Sequence, residues 1–177
     1  MNVRLSRLQV TDWLLGVSAV ALIVVLFAAP WYEVKPQFRD SLLAVGERVS
    51  ASGWQTFTWV GPLCLIVGLA GIAYAWLQAT RRSPALPVVV VTLLTPPALL
   101  LVLALLVRVF IAVPTLSLSS GANALQPASG AYVGFGLSLL IAVCAWLSLR
   151  REGVAREDAP SVIETVALEP RVPDDRA

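Results

Sequence analysis

Arg108 is the residue whose type and position most directly invite chemistry. It is the only charged residue between Arg82 and Arg150. The apolar run continues past it from 109 to 113 and stops at Pro114, so Arg108 lies roughly 9 Å inside a helix end at 1.5 Å per residue. A guanidinium at membrane depth marks a binding or transport path for an anion, or else it finds an internal acid. It can also run its stem along the helix and place its head at the interface. Glu33 is the nearest acid by topology, with Asp40 and Glu47 further off. Arg108 and Glu33 are therefore the candidate functional or ion-pair residues.

Two stripes of small residues form the second constellation. Gly61, Cys64, Gly68, Gly71 and Ala75 recur at spacings that share one helix face. Gly130, Gly134, Ser138 and Ala142 recur at strict four-residue intervals. Lipid is as apolar as leucine, so membrane helices associate by close approach, which small residues permit. Each stripe serves either packing within one bundle or an interface with a partner or a second copy. Thr95-Pro96-Pro97 predicts a kink in its helix, with Thr92 or Thr95 available to the freed carbonyls.

Several chemistries lack their residues. The chain has no histidine, which removes the usual haem, zinc and copper ligand sets and imidazole general bases. No acid falls inside the long charge-free runs, so a proton- or sodium-coupled carrier lacks its usual carboxylate. There is no C-x-x-C and no phosphate-binding glycine loop with lysine. Ser138, Thr95 and Tyr132 would act without a base. The expectation is a protein that is not an enzyme, with no cofactor and no metal. Cys64 and Cys144 fall at unequal depths in two apolar runs, so a disulfide between them is not expected.

The elements that position these residues follow from composition. Of 177 residues, 58% are hydrophobic and 14% charged, where a soluble domain carries about 25% charged residues. No charge occurs over 13–32, 49–80, 83–107 or 109–149. A spanning helix needs about 20 apolar residues, and these runs are apolar all round rather than striped. The predicted fold class is an all-α integral membrane protein, a four-transmembrane-helix bundle running up-down-up-down. Its spans lie at about 12–29, 57–78, 86–113 and 130–149. The small residues near Ala29 make a poor cleavage site, so the first span is read as retained.

Basic residues near helix ends prefer the cytoplasm. Arg4, Arg7, Arg81, Arg82, Arg150 and Arg151 fall on one side of the four-span plan, which puts both termini inside. Twelve arginines against one lysine, with the Ala/Leu/Val bias, point to a GC-rich bacterial genome and hence the bacterial plasma (inner) membrane. In the outer loop, 30–56, Phe38, Leu42, Val45 and Val49 recur at helical spacing. That predicts a short amphipathic helix on the outer surface, capping the bundle or docking a partner. Residues 150–177 mix five arginines, seven acids and three prolines and are read as a mostly disordered cytoplasmic tail, with a brief helix at 162–168.

Four spans with a longer first outer loop resemble the tetraspan plan. Gly53-Trp54 stands where claudin-type first loops carry Gly-Trp, but the loop cysteine pair of those proteins is absent. The stretch Gly130-Ala131-Tyr132-Val133-Gly134 through Arg150-Arg151 is similar to the last helix of small uncharacterised bacterial four-span membrane proteins. The resemblance implies the plan and no activity. The functional expectation is a non-enzymatic accessory or scaffold subunit, in contact with membrane lipids and with a membrane-protein partner or itself, and not with nucleic acid. The alternative is a small transporter or channel component that uses Arg108.

Overall fold

In the computed structural model, four apolar helices close into a ring. The structure describes residues 9–44, 49–80, 85–113 and 125–152. The long helices are α1 (Val10–Ala28), α4 (Val60–Ala79), α5 (Ala85–Leu106, continued by a π-helical turn at Val107–Ile111) and α6 (Ser129–Glu152). Helix α1 packs on α4 and α6, and α5 packs on the same two. Between them come β1 (Pro30–Val34), α2 (Pro36–Ala44), β2 (Ser50–Ser52), α3 (Gly53–Thr56) and β3 (Leu125–Pro127).

Each long helix buries one face and leaves an equally apolar face outside. On α1, Leu15, Ala19, Leu22 and Leu26 are fully buried, while Val17, Val20 and Val24 are exposed. On α5, Leu94, Ala98, Leu101 and Leu105 point inward, and Leu93, Leu100 and Leu103 outward. The buried sets follow the spacing of one helix face. Apolar outer faces on helices of this length suit hydrocarbon rather than water. Among the described residues four helices are long and apolar enough to cross a membrane, which supports a multi-pass membrane protein.

The chain is mostly helical, as the four-helix expectation has it, with one small sheet beside the helices that the expectation lacked. The loop after α1 and the segment before α6 form a three-stranded sheet ordered β2-β1-β3, with both pairings antiparallel. Pro30 starts the strand because α1 must end before it. Ala29 takes extended angles (φ −89°, ψ 146°), as a residue preceding proline prefers. A bulge between Pro30 and Tyr32 leaves Trp31 unpaired with β2, so the usual alternation of faces breaks and both Trp31 and Tyr32 are fully buried.

Other boundaries also shift. The second span starts at Val60 rather than 57, after the separate short α3; Pro62 then sits in the first turn, where its missing N–H is tolerated. The amphipathic helix expected in the first loop is α2, opened by Pro36 at its first position and ending at Ala44. The last helix runs on through Arg150 and Arg151 to Glu152, three residues into the predicted tail; the helix expected at 162–168 lies outside the described residues. Helix α5 continues through Pro96 and Pro97. The hydroxyls of Thr92 and Thr95 donate to the carbonyls of Val88 and Val91, not to the carbonyls of residues 92 and 93 that the prolines leave open.

Candidate functional site

Two polar centres lie at opposite ends of the bundle. The first gathers around Asp12, in the first turn of α1 and only 7% exposed. The Tyr74 hydroxyl donates to Oδ1 (3.1 Å), the Ser148 hydroxyl donates to the same oxygen (3.3 Å), and the Gln9 backbone N–H donates to Oδ2 (3.2 Å). Gln78 Nε2 donates in turn to the Tyr74 hydroxyl (2.8 Å). Tyr74 and Gln78 stand four apart on α4, and Ser148 comes from α6. One carboxylate thus ties the start of α1 to the ends of two neighbours.

The position suits a negative charge. The first N–H groups of a helix lack intrahelical partners and carry the positive end of its dipole. Among the described residues the donors to Asp12 are all neutral. Sequence reasoning missed this centre because it treated Asp12 as the outer margin of an apolar run. The available signal was the Tyr74/Gln78 pair at i, i+4 in an otherwise apolar helix, since polar groups in hydrocarbon need partners.

The second centre is built around Arg108, and among the described residues it is the backbone carbonyl, not the guanidinium, that makes the hydrogen bond. Val107–Ile111 is π-helical, and the Ala112 N–H bonds the carbonyl of Val107 (2.6 Å). In an α-helix that N–H would take the carbonyl of Arg108. The carbonyl so released accepts the hydroxyl of Tyr32 (3.0 Å). Tyr32 is fully buried; burial pushes its phenol up to about 12, with the Arg108 guanidinium pulling weakly the other way. Glu33 is exposed and accepts from Gln126 Nε2 (2.9 Å), linking β1 to β3. Among the described residues no ion pair joins Glu33 to Arg108.

The small-residue positions all face other parts of the same chain. A Cβ on Gly68 would come within 2.6 Å of Ile23, and one on Gly71 within 2.8 Å of Ala19, so these two seat α1 on α4. Gly61 faces Trp54 and Phe57 at ordinary contact distance, and Ala75 meets Gly16 across the same α1–α4 seam. On α6, Gly130 lies against the carbonyl of Pro30 and Gly134 against the ring of Trp31, while Ser138 is buried and donates to the carbonyl of Phe135. The α6 stripe thus makes room for the bulged strand. Cys64 and Cys144 are both buried and free.

Beside the Asp12 centre an open groove of about 590 Å³ follows α1 on its outer side, lined by Asp12, Trp13, Val17, Val20, Ala75 and Trp76 among others. Trp13 and Trp76 are 46% and 54% exposed. The chain matches no family model, no curated protein and no solved structure.

Proposed function

We propose that the protein is a non-enzymatic accessory or scaffold subunit of the bacterial plasma membrane. Its four helices run up-down-up-down with both termini cytoplasmic, and it holds a membrane-protein partner or a second copy of itself among the lipids. The orientation rests on the arginines at 4, 7, 81, 82, 150 and 151, which prefer the cytoplasmic side. The Asp12 centre is then the inner end and the sheet the outer cap.

The observation that carries this reading is the effort spent on the first loop. It is folded into two strands and two helices, paired to β3 from ninety residues away, and pinned by the buried rings of Trp31 and Tyr32. A simple connector needs none of this. The cap presents α2 outward, with Leu43 53% exposed and Arg39 also exposed, a mixed surface of the kind protein contacts use.

Extraction of the native membrane into polymer nanodiscs, followed by mass spectrometry of co-purifying proteins, tests it. The expected result is a stoichiometric partner that is lost from a Leu43→Asp variant of unchanged thermal stability. Recovery of both forms alone and monomeric overturns the reading.

A second reading, a small transporter or channel component for an anion or a lipid headgroup, draws on the π-helical break at Arg108, since such breaks recur at functional sites. It requires Arg108→Gln to abolish movement or retention of the anion while the fold persists.

A further inference from the structure

We infer that Tyr32 is a latch that sets the register of the last turn of α5. With β1 seated, that turn is π-helical and holds Phe110 against α6. With the Tyr32 hydroxyl withdrawn, the turn tightens to an α-turn and Phe110 leaves that contact.

The local sequence gives no reason for a wide turn here. The backbone is α-helical at Leu106 (φ −56°, ψ −49°). Val107-Arg108-Val109-Phe110-Ile111 contains neither glycine nor proline, two common causes of a helix break. The two registers differ in the acceptor of one amide. In the wide turn the Ala112 N–H reaches the carbonyl of Val107; in an α-turn it would reach that of Arg108. The Arg108 carbonyl thus has two donors within its reach in sequence and space, that N–H and the Tyr32 hydroxyl. It is found with the hydroxyl (3.0 Å). A carbonyl in an apolar surround keeps a donor, and without the hydroxyl the α-helical N–H is the one at hand.

The hydroxyl is placed by the cap and not by α5. Tyr32 is fully buried, its ring meets Phe57 edge-on (5.9 Å between centroids), and it pairs with Ala51 on β2 and Pro127 on β3. Two residues beyond Arg108, Phe110 lies edge-on to Tyr132 (6.0 Å) and Phe135 (5.4 Å) of α6. The wide turn therefore touches the cap through Arg108 and α6 through Phe110. Taking out the extra residue of one π-turn rotates the chain beyond it by up to about 100°, enough to carry Phe110 off both rings.

The helix ends at this turn, so nothing further has to rotate with it. Ala112 has already left helical geometry (φ −118°, ψ 71°), and Pro114 follows, which disfavours helical backbone at Val113. A hydrogen bond of ordinary net strength shifts a two-state balance about fivefold. Movement of β1 thus reaches α6 through the register of a single turn. The latch needs no partner on the cap, so it stands apart from the subunit reading.

Backbone NMR of the deuterated, isotope-labelled full chain in nanodiscs tests it, because scalar coupling across a hydrogen bond identifies the acceptor of each amide. In the wild type the Ala112 amide should couple to the Val107 carbonyl. In Tyr32→Phe a coupling to the Arg108 carbonyl should appear, with the ratio of the two shifted at least about fivefold toward it. Overhauser contacts between Phe110 and the rings of Tyr132 and Phe135 should weaken in step. Arg108→Gln keeps the hydroxyl and the carbonyl and should leave the Val107 coupling as in the wild type. If Tyr32→Phe does not fold, Phe57→Leu carries the test: it loosens the seat of Tyr32 with the hydroxyl kept, and both couplings should be seen. An unchanged Val107 coupling in whichever of these two folds, loss of both couplings, or a switch of acceptor in Arg108→Gln would each overturn the proposal.

Discussion

The two ends of the bundle solve the same problem, a polar group inside an apolar structure, by opposite means. At the Asp12 end the anchor is a carboxylate. It draws hydroxyls from α4 and α6 and a backbone N–H from the start of α1. At the sheet end the anchor is a backbone carbonyl, released by a π-helical turn and taken by a buried phenol. The Asp12 centre holds helix ends together through side chains and borders the open groove along α1. The sheet-end centre fixes a folded loop through two large rings. The contrast teaches that the charge most conspicuous in the sequence, Arg108, contributes through its peptide group, while a carboxylate at the edge of an apolar run organises three helices.

If the sheet end depends on ring burial, Trp31→Ala should give the largest effect of all. Trp31 is fully buried, makes an edge contact with Phe57 and donates from its indole nitrogen to the carbonyl of Val25 (2.9 Å). Large aromatic truncations in cores cost about 3–5 kcal/mol. Thermal unfolding in nanodiscs should show that loss, together with faster proteolysis within the cap. A cost below about 1 kcal/mol would mean that the strand is not anchored by its ring.

Asp12→Ala should come next, at about 2–3 kcal/mol, because the hydroxyls of Tyr74 and Ser148 both lose an acceptor in a buried place. Asp12→Asn keeps one side-chain oxygen as an acceptor and should cost roughly half as much. Measured side by side, the pair separates the value of the hydrogen bonds from that of the charge. Equal costs for the two would assign the Asp12 anchor to charge alone.

Much of the bundle was legible because it depends on local pattern. Charge-free runs of spanning length mark α1, α4, α5 and α6, and the Gly68/Gly71 spacing marks the face that meets α1. What escaped depends on contacts far apart in the chain. Tyr32 pairs with Pro127, and Asp12 meets Tyr74 and Ser148 across 62 and 136 residues. No periodicity within a helix or strand reports such meetings. The strands are also only three to five residues long, and two of them include proline, which hides them from alternation patterns. Arg108 was singled out on the rarity of a charge, a criterion blind to what the backbone does at that residue.

Tyr32→Phe should cost less than either Asp12 change at neutral pH, about 1–2 kcal/mol, for the lost bond to the Arg108 carbonyl. Its sharper signature is in alkali. Below pH 10 the phenol is neutral in both folded and unfolded chains, so it adds no pH dependence. Between pH 10 and about 12 the unfolded phenol ionises while the buried one, pushed up to about 12, does not. Unfolding is then favoured progressively, and wild-type stability should fall with rising pH by on the order of 2–3 kcal/mol more than that of the variant. Parallel curves for the two proteins would show that Tyr32 is ionised as easily in the fold as outside it.

Arg108→Gln should have the smallest effect, within about 0.5 kcal/mol, because the guanidinium makes no hydrogen bond or ion pair to a described residue that the change would break. The variant keeps the peptide carbonyl that Tyr32 uses, keeps the π-helical turn between Leu106 and Ala112, and keeps a side chain of similar reach at a half-buried position. Glu33 should be indifferent to the change, since its described partner is Gln126. The double substitution Glu33→Gln with Arg108→Gln should therefore be additive within about 0.5 kcal/mol. A coupling above about 1 kcal/mol would restore the ion pair and make the sheet end, like the Asp12 end, an anchor built on charge.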